Sequence, residues 1–459
     1  MMKTMLDIYK GLPQGIKRAL KYGYSMIPLQ WRLGRDFFNQ LNFLEKSQWW
    51  SKQALENYQN EQLQKLIRHV WNFVPYYHEL LKNNKLAPDD IRTINDLPKI
   101  PILTKQEIRD NWEKLWARNY KKEDLVVEST SGTSGISLKI LCDPANEYWE
   151  GGPFEWRFFR LGGLKFGDQR AYFRGHTVRG AGDKKRVFYS YNPVSRKLYF
   201  SIFDIRKENI EEYARIISKY RPKFISCNPG ALSLFVTLLK EEGIPEIIPF
   251  KSVFSIGELL TEEMRRNIES YFKLKMFDWY GMEERVVIGA ECERHEGHHV
   301  ISDYGITEFV KFDHVDKTEI VATGFNNYAM PLIRYRTCDT AELLDKPCSC
   351  GRGFPLMKIF GGERVVYIQD KNRNSIPVYP ILERVADNIK QFQYVHDGKG
   401  HVAIKIVKAK GYSLTDERNI QDRVVKELGN NCDIRIDYVE KVLQTETGKI
   451  PLAIMSEKL

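Results

Sequence analysis

A chain of 459 residues exceeds one ordinary hydrophobic core and suggests about two to four units. Apolar residues at 42% and charged residues at 28% exclude wholesale disorder, and no apolar run approaches the roughly 18 residues of a membrane span. The net charge of +10 suits polyphosphate substrates, an acidic membrane surface or nucleic acid, but no zinc finger, basic zipper or aromatic RNA-binding run points to nucleic acid.

The N-terminus Met1-Met2-Lys3-Thr4-Met5-Leu6-Asp7 has no signal-peptide core, so a cytoplasmic protein is expected. Up to Arg35, the cations Lys3, Lys10, Lys17, Arg18, Lys21, Arg32 and Arg35 are interleaved with Leu12, Ile16, Leu20, Tyr24, Ile27 and Trp31. Such a segment either lies peripherally on anionic lipid or is a solvated helix face packed on the body. Leu55, Tyr58, Leu63, Leu66, Ile67, Val70, Trp71 and Val74 predict a long amphipathic helix ending before Pro75. Residues 1–90 are accordingly expected to form a helical segment packed on a larger domain.

Thr104 and Glu107 offer a capping box after the proline-stiffened run Pro98 to Pro101. The short apolar run Leu125-Val126-Val127 then leads into Ser129-Thr130-Ser131-Gly132-Thr133-Ser134-Gly135, and Leu138-Lys139-Ile140-Leu141 follows. Strand, hydroxyl-and-glycine turn, strand is an arrangement able to grip phosphate with backbone N–H groups and hydroxyls. It is not the Walker type, which needs Gly-Lys followed by Ser or Thr.

Residues 142–275 alternate helical and extended patterns: helices near 148–161, 209–220, 230–242 and 261–272, with strands near 170–174, 224–227 and 252–255. This alternation predicts α/β layering. Met276-Phe277-Asp278-Trp279-Tyr280-Gly281-Met282-Glu283-Glu284 reads as a strand, a Tyr-Gly turn and two carboxylates, either of them suited to Mg²⁺ or, as a second reading, to the first turn of a helix. Arg334-Tyr335-Arg336-Thr337-Cys338-Asp339 puts an aspartate after a strand, chemistry suited to ribose hydroxyls. The last hundred residues read as a small α+β unit with strands at 402–407 and 433–439 and a helix at 415–428.

Seven cysteines, an odd number, favour reduced thiols over a disulfide framework. Cys292 with His295, His298 or His299, together with Cys348-x-Cys350, offers a four-ligand set of the Cys3His kind that zinc takes tetrahedrally. Arg174, His176 and Arg179 either meet an acidic substrate or are surface charges.

Taken in order, these stretches resemble the acyl-adenylate-forming ligases, and within them the phenylacetate–CoA ligase family in its branch associated with capsular polysaccharide synthesis. The likeness is carried by Tyr58-Gln59-x-Glu61-x-Leu63, Val74-Pro75-Tyr76-Tyr77, Pro101-x-Leu103-Thr104-Lys105, the hydroxyl loop, Gly257-Glu258, Tyr280-Gly281-x-x-Glu284, Arg334 to Asp339 and Gly448-Lys449. The resemblance implies an α/β fold, with a large multi-layer adenylate-forming domain over 91–360 and a small α+β lid over 361–459.

By position, the same likeness assigns Ser131, Gly132, Thr133, Ser134 and Gly135 to the ATP phosphates, with Thr133 catalytic. Gly257, Glu258, Asp278, Tyr280 and Gly281 go to the adenine pocket, Glu284 to Mg²⁺, Asp339 to the ribose and Lys449 to catalysis. It selects His299 to join Cys292, Cys348 and Cys350 at a structural Zn²⁺. Implied substrates are ATP, a small organic or aryl carboxylic acid, and coenzyme A or another acyl acceptor; an amine, sugar or lipid-linked acceptor, or a non-catalytic nucleotide-binding scaffold, are the alternatives. The chain departs from the family pattern at Ile136-Ser137 in the loop, at Glu283, at Cys338, and at Gly361-Gly362-Glu363-Arg364 in the hinge.

Overall fold

Helical periodicity governs the first hundred residues. Ser51 caps the helix Lys52–Phe73 by accepting the Ala54 N–H at 3.2 Å, and Pro75 opens the next helix, Pro75–Asn83. Leu55, Leu63, Leu66, Ile67 and Val70 share the buried face of the first, each contributing about 1.5–3 kcal/mol of transfer free energy. Thr104 and Glu107 form the expected box: Thr104 N donates to Glu107 Oε2 at 2.7 Å, and Glu107 N to Thr104 Oγ1 at 3.2 Å. The computed structural model describes residues 14–129, 138–144, 152–174, 188–245, 250–312, 317–360, 366–378, 388–408, 411–429, 431–443 and 452–456. Among these, no helix is long and apolar enough to cross a membrane.

A two-stranded hairpin follows, β1 (Val126–Ser129) antiparallel to β2 (Lys139–Cys142), with Ser129 opposite Lys139. The body is then built on β3 (Arg170–Phe173), β4 (Tyr189–Asn192), β5 (Lys197–Phe200), β6 (Phe224–Cys227), β7 (Ser252–Ile256) and β8 (Met276–Gly281). It continues through β9 (Ile288–Glu291), β10 (His298–Val300), β11 (Gly305–Lys311), β12 (Thr318–Gly324), β13 (Tyr335–Leu344) and β14 (Leu356–Ile359). These join in a 12-stranded sheet of order β11-β12-β13-β14-β10-β9-β8-β7-β6-β3-β5-β4. Strands β5, β3, β6, β7 and β8 are mutually parallel; β4 and the half made of β9 to β14 pair antiparallel.

Alternation sorts the parallel strands onto two cores. Ala171, Phe173, Ile225, Cys227 and Val253 face helices Ile210–Tyr220, Pro229–Glu241 and Glu262–Phe272. Phe224, Phe254 and Phe277 face helix Pro153–Leu161 with its Trp156, Phe158 and Phe159. Pro153 supplies the first turn of that helix, and the part of the expected helix from 148 to 151 lies outside the described residues. A short hairpin of β15 (Val366–Gln369) and β16 (Ser375–Val378) leads to a four-stranded sheet of β17 (Ile389–His396), β18 (His401–Lys408), β19 (Asp433–Tyr438) and β20 (Ala453–Met455). Helix Leu414–Leu428, capped by Ser413, packs Ile420, Val424 and Leu428 with Ile404 and Ile406 in this unit's core. The architecture is thus α/β, a large N-terminal body and a small C-terminal sheet domain.

Candidate active site

Parallel β6, β7 and β8 end at one edge, and an open α/β sheet collects ligands there. Gly257 leaves β7 at φ +90°, a left-handed turn that glycine takes without strain. Glu258 then reaches the start of helix Pro229–Glu241, where its Oε2 accepts the Gly230 N–H at 3.1 Å. From β8, the Tyr280 hydroxyl donates to Asp339 Oδ2 at 2.6 Å. From β13, the Tyr335 hydroxyl donates to Glu284 Oε1 at 2.7 Å, leaving Oε2 as the open acceptor among the described residues.

Glu284 sits in a turn, Arg285 N to Met282 O at 3.1 Å, not in the first turn of a helix. That turn presses on the backbones of β11 and β12, where Gly305 and Gly324 pair across the strands. A Cβ on Gly324 would stand 2.3 Å from Arg285 O, and one on Gly305 2.8 Å from Val286 O. The Arg285–Glu128 ion pair, 2.7 Å, ties the same turn to β1, the first strand of the hairpin around the hydroxyl loop.

Asp339 lies inside β13 and not after a strand as expected. The pairing of β12 with β13 shifts between Glu319 and Val321, a bulge in which Cys338 takes φ +65°. Asp339 N donates to Thr337 Oγ1 at 3.0 Å there, and the carboxylate turns to Tyr280. Burial pushes its pKa up to about 6, against the pull of the Tyr280 hydroxyl and Lys105 and with a push from Glu284. Lys105 arrives because Leu103 is stitched into β13: Leu103 N to Arg334 O and Arg336 N to Leu103 O, both 2.9 Å. The arginines of the Arg-Tyr-Arg run are structural, Arg334 paired with Glu308 at 2.8 Å and Arg336 with Glu319 at 2.7 Å.

Asp278 shares the segment assigned to adenine, but its side chain is committed inside the sheet. Oδ1 accepts from Ser255 Oγ in a short bond, and Oδ2 faces His298 Nε2 at 2.9 Å. Its backbone N–H donates to Glu291 Oε2 at 3.0 Å, and Arg265 pairs with Glu291 at 2.7 Å. Asp278 therefore holds β8 against β7, β9 and β10. Ser131 to Gly135, Thr133 among them, His176, Arg179, the hinge at 361–364 and Lys449 lie outside the described residues.

A second constellation lies on β9, β10 and the 348–350 turn. The ligand atoms of Cys292, His299, Cys348 and Cys350 all fall within 4.8 Å of one another. Cys292 Sγ stands 3.6 Å from Cys348 Sγ, far beyond a disulfide bond and close to the roughly 3.8 Å edge of a tetrahedron with 2.3 Å metal–sulfur bonds. Cys350 Sγ is 3.4 Å from His299 Nε2, while His299 Nδ1 faces Phe354 O at 3.3 Å, which leaves Nε2 as the ligating nitrogen. Burial pushes His299 down to about 4, so it is neutral at physiological pH, and pushes the Cys292 thiol up to about 12. Backbone N–H groups of Arg294 and Arg352 donate to Cys292 Sγ and Cys350 Sγ, both at 3.4 Å, contacts that would favour thiolates once a cation offsets the burial. The other two histidines go elsewhere, His298 to Asp278 and His295 to Glu291 at 3.5 Å.

Comparison with known proteins agrees over most of the length. Residues 368–456 match the CapK C-terminal domain model. The Protein CapK of Staphylococcus aureus is 23% identical over 408 residues, 87% of this chain and 89% of its own. The phenylacetate-coenzyme A ligase of Thermus thermophilus is 25% identical over 358 residues, 75% of this chain and 78% of its own. Over most of its length the chain is thus similar to the phenylacetate–CoA ligases and to CapK, which are adenylate-forming ligases by resemblance. The same fold appears in a crystal structure of 2-hydroxyisobutyryl-CoA ligase in complex with 2-HIB-AMP and CoA. Its TM-score is 0.54 at 15% identity, covering 88% of this chain and 89% of that one.

The sequence alone gives no role to Tyr335, Lys105, Gly305, Gly324 or Glu291, and offers His298 as a zinc ligand where the structure turns it to Asp278. Tyr335 and Lys105 stood inside quoted motifs and could have been singled out as the polar members of otherwise structural runs. The glycines and the Asp278 partners carry no local signal.

Proposed function

We propose that the chain activates a small organic or aryl carboxylic acid by AMP-forming adenylation, with ATP as the nucleotide and coenzyme A or another thiol as acceptor. One observation carries this reading. Asp339 and Glu284, each bonded by a tyrosine hydroxyl, stand together at the sheet edge, and the hairpin of the hydroxyl loop is tied to the turn of Glu284. A ribose acceptor, a metal carboxylate and a phosphate loop are the groups that adenylation requires of a protein. The phenylacetate-coenzyme A ligases among its relatives support the same acceptor.

Attack of a carboxylate on the α-phosphorus gathers charge on the phosphoryl oxygens, so catalysis consists of positioning and electrostatic stabilisation, with no general base. In this reading Asp339 holds the ribose hydroxyls, and Gly257, Glu258, Tyr280 and Gly281 border the adenine. Ser131 to Gly135, Thr133 among them, hold the terminal phosphates, and Lys449 brings positive charge from the C-terminal unit, residues 361–459, as it closes on the 91–360 body. The open Oε2 of Glu284 fits a Mg²⁺ ligand, and the bound ion supplies charge neutralisation at the phosphates. Cys292, His299, Cys348 and Cys350 hold a structural Zn²⁺ that leaves no open position.

Pyrophosphate exchange across a library of carboxylic acids tests the reading: exchange with at least one acid, and a CoA thioester on adding CoA, are expected. Nucleotide binding with no exchange for any acid overturns it in favour of a scaffold. Exchange without thioester moves the acceptor to an amine, sugar or lipid-linked group. Ile16, Leu20, Met26 and Trp31 are 49, 49, 85 and 76% exposed, which gives the basic N-terminal helices an apolar side suited to peripheral contact with lipid. Sedimentation with vesicles containing about 30% phosphatidylserine should therefore carry the protein down at low salt and release it at high salt.

A further inference from the structure

Strand register defines a row of side chains next to the nucleotide groups. Phe173, Cys227, Ser255 and Asp278 stand at one level across β3, β6, β7 and β8, and Ile256 pairs with Trp279 one residue further. Arg174 follows Phe173 and so joins that level. Alternation puts Ile256 and Trp279 on the face of Phe254 and Phe277, and Arg174 reaches the same face, bonding to Ser226, which alternates with Phe224. The row therefore runs from Trp279, beside Tyr280, over Ile256 to Arg174. It spans three strand spacings, roughly 14 Å.

The far end of the row holds an incompletely bonded cation. Arg174 Nη2 donates to Ser226 Oγ at 2.6 Å, and the guanidinium carbon lies 5.4 Å from the Tyr172 ring. Its Nε is buried without an acceptor, and no carboxylate among the described residues pairs with it. Arg174 as a whole is half-buried, but a buried guanidinium N–H left without an acceptor is unfavourable until an anion completes it. The other end of the row adjoins the Tyr280–Asp339 and Tyr335–Glu284 pairs, where the reacting carboxylate belongs in the adenylation reading.

We propose that Arg174 is a specificity-determining residue that binds a second, anionic group at the remote end of the substrate. The preferred substrates are then compact acids with an apolar body over Ile256 and Trp279 and a second carboxylate, or an equivalent anion, at Arg174. This inference rests on the adenylation reading, since it needs the reacting carboxylate at the Tyr280 end.

Matched pairs of acids, hexanoate with adipate and phenylacetate with 4-carboxyphenylacetate, are compared by pyrophosphate exchange. The dianionic member is expected to have the higher kcat/KM, by about tenfold or more. Arg174→Gln should lower that ratio by about tenfold or more, mainly through KM, and Arg174→Lys should keep part of it. Affinity for an ATP analogue in the absence of acid reports folding and should be the same in all three proteins. A ratio unchanged by Arg174→Gln, or a wild-type preference for the monocarboxylates, overturns the inference and leaves adenylation standing. Loss of ATP-analogue affinity in a folded Arg174→Gln protein overturns it too, making Arg174 a phosphate contact. No exchange with any acid by a wild-type protein that binds the nucleotide removes both readings.

Discussion

Asp339 is where burial and chemistry oppose each other. Its carboxyl is raised from the ordinary value to about 6, chiefly by burial, so the folded state binds the proton more tightly than the unfolded chain does. The sign follows: stability is greatest on the acid side and falls as pH rises through about 6, by roughly 3 kcal/mol in all. Ribose hydroxyls need the ionised acceptor, so nucleotide affinity should move the other way, rising about tenfold from pH 5 to pH 7.5. In Asp339→Asn, titration with an ATP analogue should give weak, pH-independent binding, while the melting temperature near neutral pH holds or rises. Tyr335→Phe removes the donor to Glu284 Oε1, and the Mg²⁺ concentration needed for half-maximal exchange should rise several-fold with the fold intact. Asp339 and Glu284 were legible as candidates from their motifs, which place carboxylates after an aromatic-glycine turn and in a basic run, and the resemblance supplied their roles. The tyrosines that hold them come from other strands, so the pairing Tyr280–Asp339 and Tyr335–Glu284 was not.

At the scale of elements, backbone contact and ligand geometry decide what the site can be. Gly305 and Gly324 face each other so that β11 and β12 can pass under the turn that carries Glu284. Gly324→Ala forces a Cβ into the Arg285 carbonyl, and chemical denaturation should register a loss of about 2 kcal/mol or more together with weaker Mg²⁺ dependence. The Cys/His cluster pins β9 and β10 to the 348–350 turn, and Gly353 closes the arrangement, since a Cβ there would stand 1.9 Å from Trp50 O. Elemental analysis should find about one zinc per chain, and Cys348→Ser should lose that metal and at least about 3 kcal/mol of stability. Most helices and strands were readable from period and caps: the capping box at Thr104 and Glu107 appears where the residues put it. The bulge at Cys338 was not, because an extra residue in a strand is fixed by the partner strand's register and not by the residues themselves.

For the whole molecule, the proposed chemistry depends on a cation supplied from one unit to a nucleotide held by another. Lys449→Ala should lower pyrophosphate exchange by about a thousandfold while changing ATP affinity by no more than about threefold, because a charge aimed at the reacting oxygens acts in the transition state. An equal loss in both measurements would make Lys449 a binding group instead. The sequence alone determined the α/β class, the small C-terminal α+β unit, the candidate phosphate loop and the Cys, His, Asp and Glu residues worth following, since periodicity, caps and short motifs are local properties of a chain. Only the tertiary structure decided that Asp278 is a brace within the sheet and that Arg174 stands level with Trp279, and it brought His299, the histidine the resemblance selects, among the three cysteines. Those outcomes depend on which strands lie side by side and in what register, and hydrogen-bonded pairing across the sheet brings together residues that the chain itself keeps far apart.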